Sequence, residues 1–238
     1  MSVALAAAAA ASGLAVFAQK TQNPRADLPP GLVAVLFSAI WLLAVGFKSI
    51  TKGVFGGLTS KQLSGAFALV TSVTLVCMAG MGYMDSKFRT PELPLGVVTF
   101  EFGFTSAKMK TIINAWSREQ LVWVVYAQGT DNLFMFLYSN AIALGCLVAG
   151  GRSARAYDIA VLQYVAGLLD FLEGVFLHLV LIEPNLDKLD ERIPLGAGIS
   201  AAIKFAFIIV GFIYFFSVLA LSRAASPASS TKVQSKTL

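Results

Sequence analysis

Residues 159–182 read IAVLQYVAGLLDFLEGVFLHLVLI. Apart from Gln163, Asp170, Glu173 and His178, the stretch is apolar, aromatic or small. About 20 such residues are what a helix needs to cross a ~30 Å hydrocarbon layer. Its two acids lie near the middle, where a bilayer tolerates a charge only if something compensates it. This segment therefore reads as a membrane helix that needs polar partners from its neighbours.

The rest of the chain has the same character. Of 238 residues, 57% are hydrophobic and only 13% charged, against about 25% charged in an ordinary soluble domain. With a mean hydropathy of +0.74, the composition excludes a water-soluble globule, a disordered chain and a coiled coil. Prolines at 24, 29, 30, 91, 94, 184, 194 and 227 all fall outside the long apolar runs and mark connectors. Between them lie five candidate spans, at about Gly31–Phe47, Gln62–Met84, Leu121–Ala149, Ile159–Ile182 and Leu195–Leu221.

The expected organisation has four parts. Residues 1–18 are a signal or targeting segment, or else a short uncleaved helix. Residues 19–61 carry the amino-terminal span and its connector. Residues 62–221 form a four-helix transmembrane bundle, and 222–238 are a disordered polar tail. The fold class is all-α integral membrane, a polytopic bundle with one extra span and an interfacial amphipathic helix. Which membrane houses it, organellar or plasma, is left open by the ambiguous first segment.

Positive residues suggest an orientation. If the first span starts outside, inner segments 48–61, 150–158 and 222–238 carry eight Lys or Arg and one acid, Asp158. The outer segments carry nine of each sign. The imbalance favours an inner carboxyl terminus.

The long outer segment holds its own elements. Thr105 or Ser106 can cap a helix on which Met109, Ile112, Ile113 and Trp116 share a face. That face suits the membrane surface, with Trp116 among headgroups, and the simplest role for the segment is a lid that seals the bundle's outer end. Ahead of it, residues 96–104 (GVVTFEFGF) are apolar around Glu101, either extended or re-entrant and packed on the bundle. Ser117 with Gln120 makes a capping box for the third span. Ala141, Gly145 and Ala149, with Gly80, Gly82, Gly167 and Gly174, offer small helix-packing faces.

Several chemistries find no residues to support them. Cys77 and Cys146 lie singly in apolar runs, and the one histidine, His178, cannot build a multi-histidine metal or haem site. No cofactor is expected. The formal charge of +5 and pI near 9.3 come from basic residues scattered at helix ends, which anchor helices rather than bind nucleic acid.

The informative feature is charge inside the spans. At ~1.5 Å per residue, Asp131 lies ~15 Å into the third span, Asp170 ~16 Å into the fourth and Lys204 ~13 Å into the fifth. Glu173 follows Asp170 on the same helix face. Each costs ~2.5–3.5 kcal/mol to insert at that depth, on the order of 10 kcal/mol for four unpaired. They should therefore face one another, with Lys204 meeting some of Asp131, Asp170 and Glu173. Gln128, Asn132 and Asn140 can add hydrogen bonds. Three carboxyls against one ammonium leave a surplus of acid, so at least one should hold a proton at neutral pH.

Three roles fit such a cluster. The first is structural: a non-enzymatic component or small subunit of a membrane assembly, packed against lipid, another subunit or a second copy. The second is a proton-coupled transporter or a bundle that binds lipid or a small ligand. The third is an enzyme modifying lipids or isoprenoids, which would need a nucleophile, metal set or phosphate-binding arginines that do not accompany the acids.

Residues 62–221 also resemble small four-helix membrane proteins found widely in bacteria. The likeness rests on TPELPLGVVTFEFGFTSAKMKTIINAW (90–116), GTDNLFMFLYSNAIAL (129–144), AGLLDFLEGVFL (166–177) and AAIKFAFIIVGFIYF (201–215). The last three carry Asp131, Asp170 with Glu173, and Lys204. The resemblance implies a four-helix unit with an outer amphipathic segment. It brings no activity with it, so no functional residue carries across.

Overall fold

A computed structural model describes residues 47–91 and 93–224. The expected segment 1–18, all of the first span except Phe47, and tail residues 225–238 lie outside the described residues.

Four long helices carry the fold: α1 (Ser60–Phe88), α4 (Arg118–Ala149), α5 (Ala154–Ile182) and α6 (Arg192–Ala224). Each is long and apolar enough to cross a membrane. Between α1 and α4 lie two short helices, α2 (Val97–Glu101) and α3 (Ser106–Ala115), and a 3₁₀ turn at Leu186–Lys188 joins α5 to α6. Among the described residues there is no strand beyond an isolated Thr90–Leu93 bridge.

The helix starts follow from local side-chain chemistry. Thr59 with Gln62, and Ser117 with Gln120, form reciprocal capping boxes at α1 and α4. Ser153 and Thr105 cap α5 and α3. Each satisfies backbone N–H groups that have no partner within the first helical turn. The capped helices start a few residues before the apolar spans, because these caps lie beyond the hydrophobic runs, while α4 and α5 end at Ala149 and Ile182 as expected. Pro194 is one correction. It reads as a connector residue but lies in the first turn of α6, where no intrahelical N–H bond is lost and the fixed φ suits a helix.

The order of packing is α1 on α4, α4 on α5, and α5 on α6, with α4 also touching α6. Burial separates centre from flank: the apolar windows of α4 and α5 are 44% and 39% buried, those of α1 and α6 only 11%. Polar and small groups knit the α4–α5–α6 contact. Gln163 Nε2 donates to Phe207 O at 2.9 Å, and Cys146 Sγ lies 3.6 Å from Gly211 O. Any side chain at Gly211 would strike Gln163.

Segment 90–116 forms a cap over one end of the bundle. Trp116 is its keystone, with Nε1 donating to Phe88 O at 2.8 Å and the ring edge-on to Phe88 and Phe100. Met109 and Ile112 are buried in the same cluster as Leu93, Leu177 and Ala197. The apolar face of α3 therefore turns inward. Protein, rather than a headgroup layer, covers Trp116, because the neighbouring α2 and the ends of α5 and α6 offer a closer apolar surface.

At the opposite end, helical residues 47–56 pack by α5: Lys48 pairs with Asp158, and Phe47 lies 6.4 Å from Tyr164, ring to ring.

Candidate functional site

A short re-entrant element completes the site. Gly96 turns the chain with φ +56°, and Asp85 of α1 accepts from Val97 N at 2.8 Å, seating the first turn of α2. Arg89 holds the other Asp85 oxygen at 2.6 Å. A Cβ at Gly96 would overlap the Asp85 carboxylate, so glycine is required both for the turn and for the approach. From this seat α2 points Phe100 and Glu101 into the bundle, where both are buried.

Lys204 stands at the centre. Its Nζ lies 2.5 Å from Asp170 Oδ1, 2.7 Å from Glu173 Oε2 and 3.5 Å from Glu101 Oε1. Tyr138 OH donates to the other Asp170 oxygen at 2.9 Å. The lysine, Asp170, Glu173 and Glu101 side chains are each 7% exposed or less. One ammonium thus serves three carboxyls. Glu101 Oε2, fully enclosed, has no hydrogen-bond partner. Burial pushes the Glu101 carboxyl above the usual glutamate range, Asp170 adds to that, and the Lys204 charge opposes it.

Asp131 stands apart. It is half-buried, lies on α4 and makes no hydrogen bond or ion pair within the described residues. Gln128 is buried but is not bonded to the cluster, and exposed Asn132 reaches only the Gln128 carbonyl of its own helix at 3.4 Å. Asn140 pairs with Phe136 O and Tyr164 instead. These three amides do not extend the cluster as expected, because the α4 face that carries them turns away from Lys204. His178 is exposed.

Two contributors escaped the sequence reading. Glu101 was visible as an acid in an apolar segment, but its reach to Lys204 depends on the Gly96 turn. Tyr138 gave no signal, since a tyrosine in a membrane helix is ordinary.

Beside the cluster is a cavity of about 590 Å³. Its floor is one face of α4 (Ala127, Asp131, Phe134, Tyr138, Ile142, Gly145), residues recurring at helical spacing. Its walls are α1 and α6, and Glu101 with Val97 and Val98 closes the capped end. Phe67 and Phe215 meet at the other end, ring centroids 5.9 Å apart, over Gly145. Because α1 and α6 scarcely pack on each other, the slot between them is the open side. Thr71 Oγ1, on the α1 wall, is another enclosed polar atom without a partner.

The arrangement is a largely apolar trough with acid concentrated at one end. Among the described residues no group of three or more His, Cys, Asp or Glu is arranged to hold a metal ion. No family model, curated protein or solved structure matches the chain.

Proposed function

We propose that the chain is a multi-pass membrane protein that binds a lipophilic small molecule in the α1–α6 cleft, without transforming it. The observation that carries this reading is the cavity itself. Its volume falls in the ~300–1,000 Å³ range of small-molecule sites, and like them it is apolar with a few convergent polar groups. A bundle serving only as a structural subunit would gain by closing such a space, since unfilled volume forfeits packing energy. It would also gain by pairing the Glu101 oxygen. The slot between two outward helices would admit a ligand directly from the bilayer.

In this reading the capped end faces outward and the carboxyl terminus inward, following the positive residues. The outer surface of α3, with Lys108 and Lys110, then lies at the headgroup level. Phe47 leads onto Tyr164, which bonds Asn140, roughly 150° around α4 from the cleft floor. The bacterial four-helix proteins that the chain resembles would share this bundle. A proton-coupled transport cycle is the second reading, supported by Glu101, whose raised carboxyl sits at the capped end of the same cavity.

The test is photolabelling in lipid nanodiscs with a twelve-carbon alcohol bearing a diazirine. Saturable labelling of α1, α4 or α6 residues of the cleft is expected. Gly82→Trp should abolish it, because nothing lies within 4 Å of a Cβ at Gly82 and the indole can occupy the cavity. Labelling that never saturates, or that ignores Gly82→Trp, would sink the reading.

A further inference from the structure

We infer that the ligand's polar end is a protonated amine, seated between Asp131 and Glu101 at the acidic end of the cleft. The inference rests on the binding role proposed above and assigns the chemistry of its ligand.

The argument begins with which groups are already occupied. Asp85 lines the cavity too, but Arg89 and the Val97 N–H engage its two oxygens. Asp170 is held by Lys204 and Tyr138. An ammonium has three N–H donors, and Lys204 faces three carboxyls: Asp170, Glu173 and Glu101. It donates a hydrogen bond to Asp170 and ion-pairs with Glu173 and Glu101, so its charge is already shared among three carboxyls. What remains is acceptor capacity: the whole Asp131 carboxyl on the cavity wall, and Glu101 Oε2, an enclosed oxygen of a residue that lines the capped end. That oxygen is enclosed, so water does not serve it freely, and it has no hydrogen-bond partner within the described residues, Glu173 being its acidic neighbour.

Charge narrows the choice of head group. Asp131, Asp170, Glu173 and Glu101 outnumber Lys204 as ionisable groups, so an anionic head would oppose their ionised forms and a cation would favour them. A neutral hydroxyl could donate one hydrogen bond but would bring no charge to hold a carboxyl ionised. A primary ammonium offers up to three donors and the compensating charge. Aromatic rings nearby suit a cation as well: Phe134 and Tyr138, ring centroids 5.4 Å apart, follow Asp131 one and two turns along the same floor. The remainder of the trough, down to Phe67 and Phe215, accepts an alkyl or aromatic tail.

The experiment compares three amphiphiles of equal chain length, dodecylammonium, dodecanol and dodecanoate, as competitors of the diazirine alcohol in phosphatidylcholine nanodiscs. Labelling in Gly82→Trp provides the background from bilayer partitioning. Dodecylammonium should compete at a concentration about tenfold or more below that of dodecanol, as expected for charge-assisted hydrogen bonds. Dodecanoate should compete least. Asp131→Asn should erase most of the ammonium's advantage over dodecanol. This variant breaks no hydrogen bond or ion pair within the described residues. Glu101→Gln should reduce the same advantage independently.

Equal competition by dodecylammonium and dodecanol would overturn the amine assignment while leaving the cleft as a binding site. So would an advantage untouched by both variants. Absence of any saturable, Gly82-sensitive labelling would remove the binding role and the amine together.

Discussion

Glu101, on a five-residue helix outside the four long ones, lies 3.5 Å from Lys204 in the interior of α6. The contact ties the cap to the bundle and makes the cap part of the polar site. Lys204 is consequently the hub of three separate elements: α2, α5 and its own helix.

Removing that hub should be costly. Lys204→Met would leave Glu101, Asp170 and Glu173 facing one another without a cation. Breaking one side of a buried pair typically costs about 3–5 kcal/mol. Equilibrium unfolding in mixed micelles should show a loss of that order, with Lys204→Arg losing less because the charge is retained. A Lys204→Met variant as stable as wild type would mean that the carboxyls need no counter-charge.

Stability should also depend on pH through Glu101. Its carboxyl is raised by burial in the folded chain, so the folded state binds the proton more tightly than the unfolded one. Its contribution is complete below the ordinary glutamate value near ~4.3 and is lost as pH rises through the raised value. Wild-type unfolding free energy should therefore fall across that window, and Glu101→Gln should flatten the fall. Lys204, Asp170, Glu173 and Asp131 all influence the group, so the comparison must be with Glu101→Gln in the otherwise unchanged chain. An identical slope in both proteins would contradict the assignment.

Gly96 should tolerate no side chain. Gly96→Ala places a Cβ on the Asp85 carboxylate and requires a left-handed backbone, which alone costs about 1–2 kcal/mol. The expected result is lower stability and faster proteolysis within 90–104, as α2 leaves its seat. Gly80→Ala is the control: nothing lies within 4 Å of its added Cβ, and a helical Gly→Ala change favours the helix by about 1 kcal/mol.

Tyr138→Phe removes the hydroxyl that donates to Asp170 at 2.9 Å. A hydrogen bond to a charged group is worth about 1.5–3 kcal/mol, so a loss in that range is expected from unfolding measurements. The same substitution keeps the ring on the cleft floor, so competition by dodecanol should stay unchanged.

Much of this was legible in one dimension, for identifiable reasons. Hydrophobic runs longer than a bilayer requires placed α1, α4, α5 and α6 to within a few residues, and the Ser117–Gln120 box depends only on neighbours three apart. The expense of a charge inside an apolar helix singled out Asp170, Glu173 and Lys204. By contrast, Gln128, one turn before Asp131, and Asn132 beside it were selected by nearness along the span, and nearness along a helix does not say what a residue faces.

Sequence alone therefore determined the helical, membrane-suited character of the chain, the helix ends and the presence of acids that need a partner. All of these depend on local hydrophobicity, capping and charge. Only tertiary structure decided that Glu101 completes the set around Lys204, that Trp116 is buried in a cap, and that Asp131 faces an open cleft. Those outcomes depend on the Gly96 turn and on α1 and α6 flanking α4 without closing on each other, relations between distant segments that no local pattern encodes.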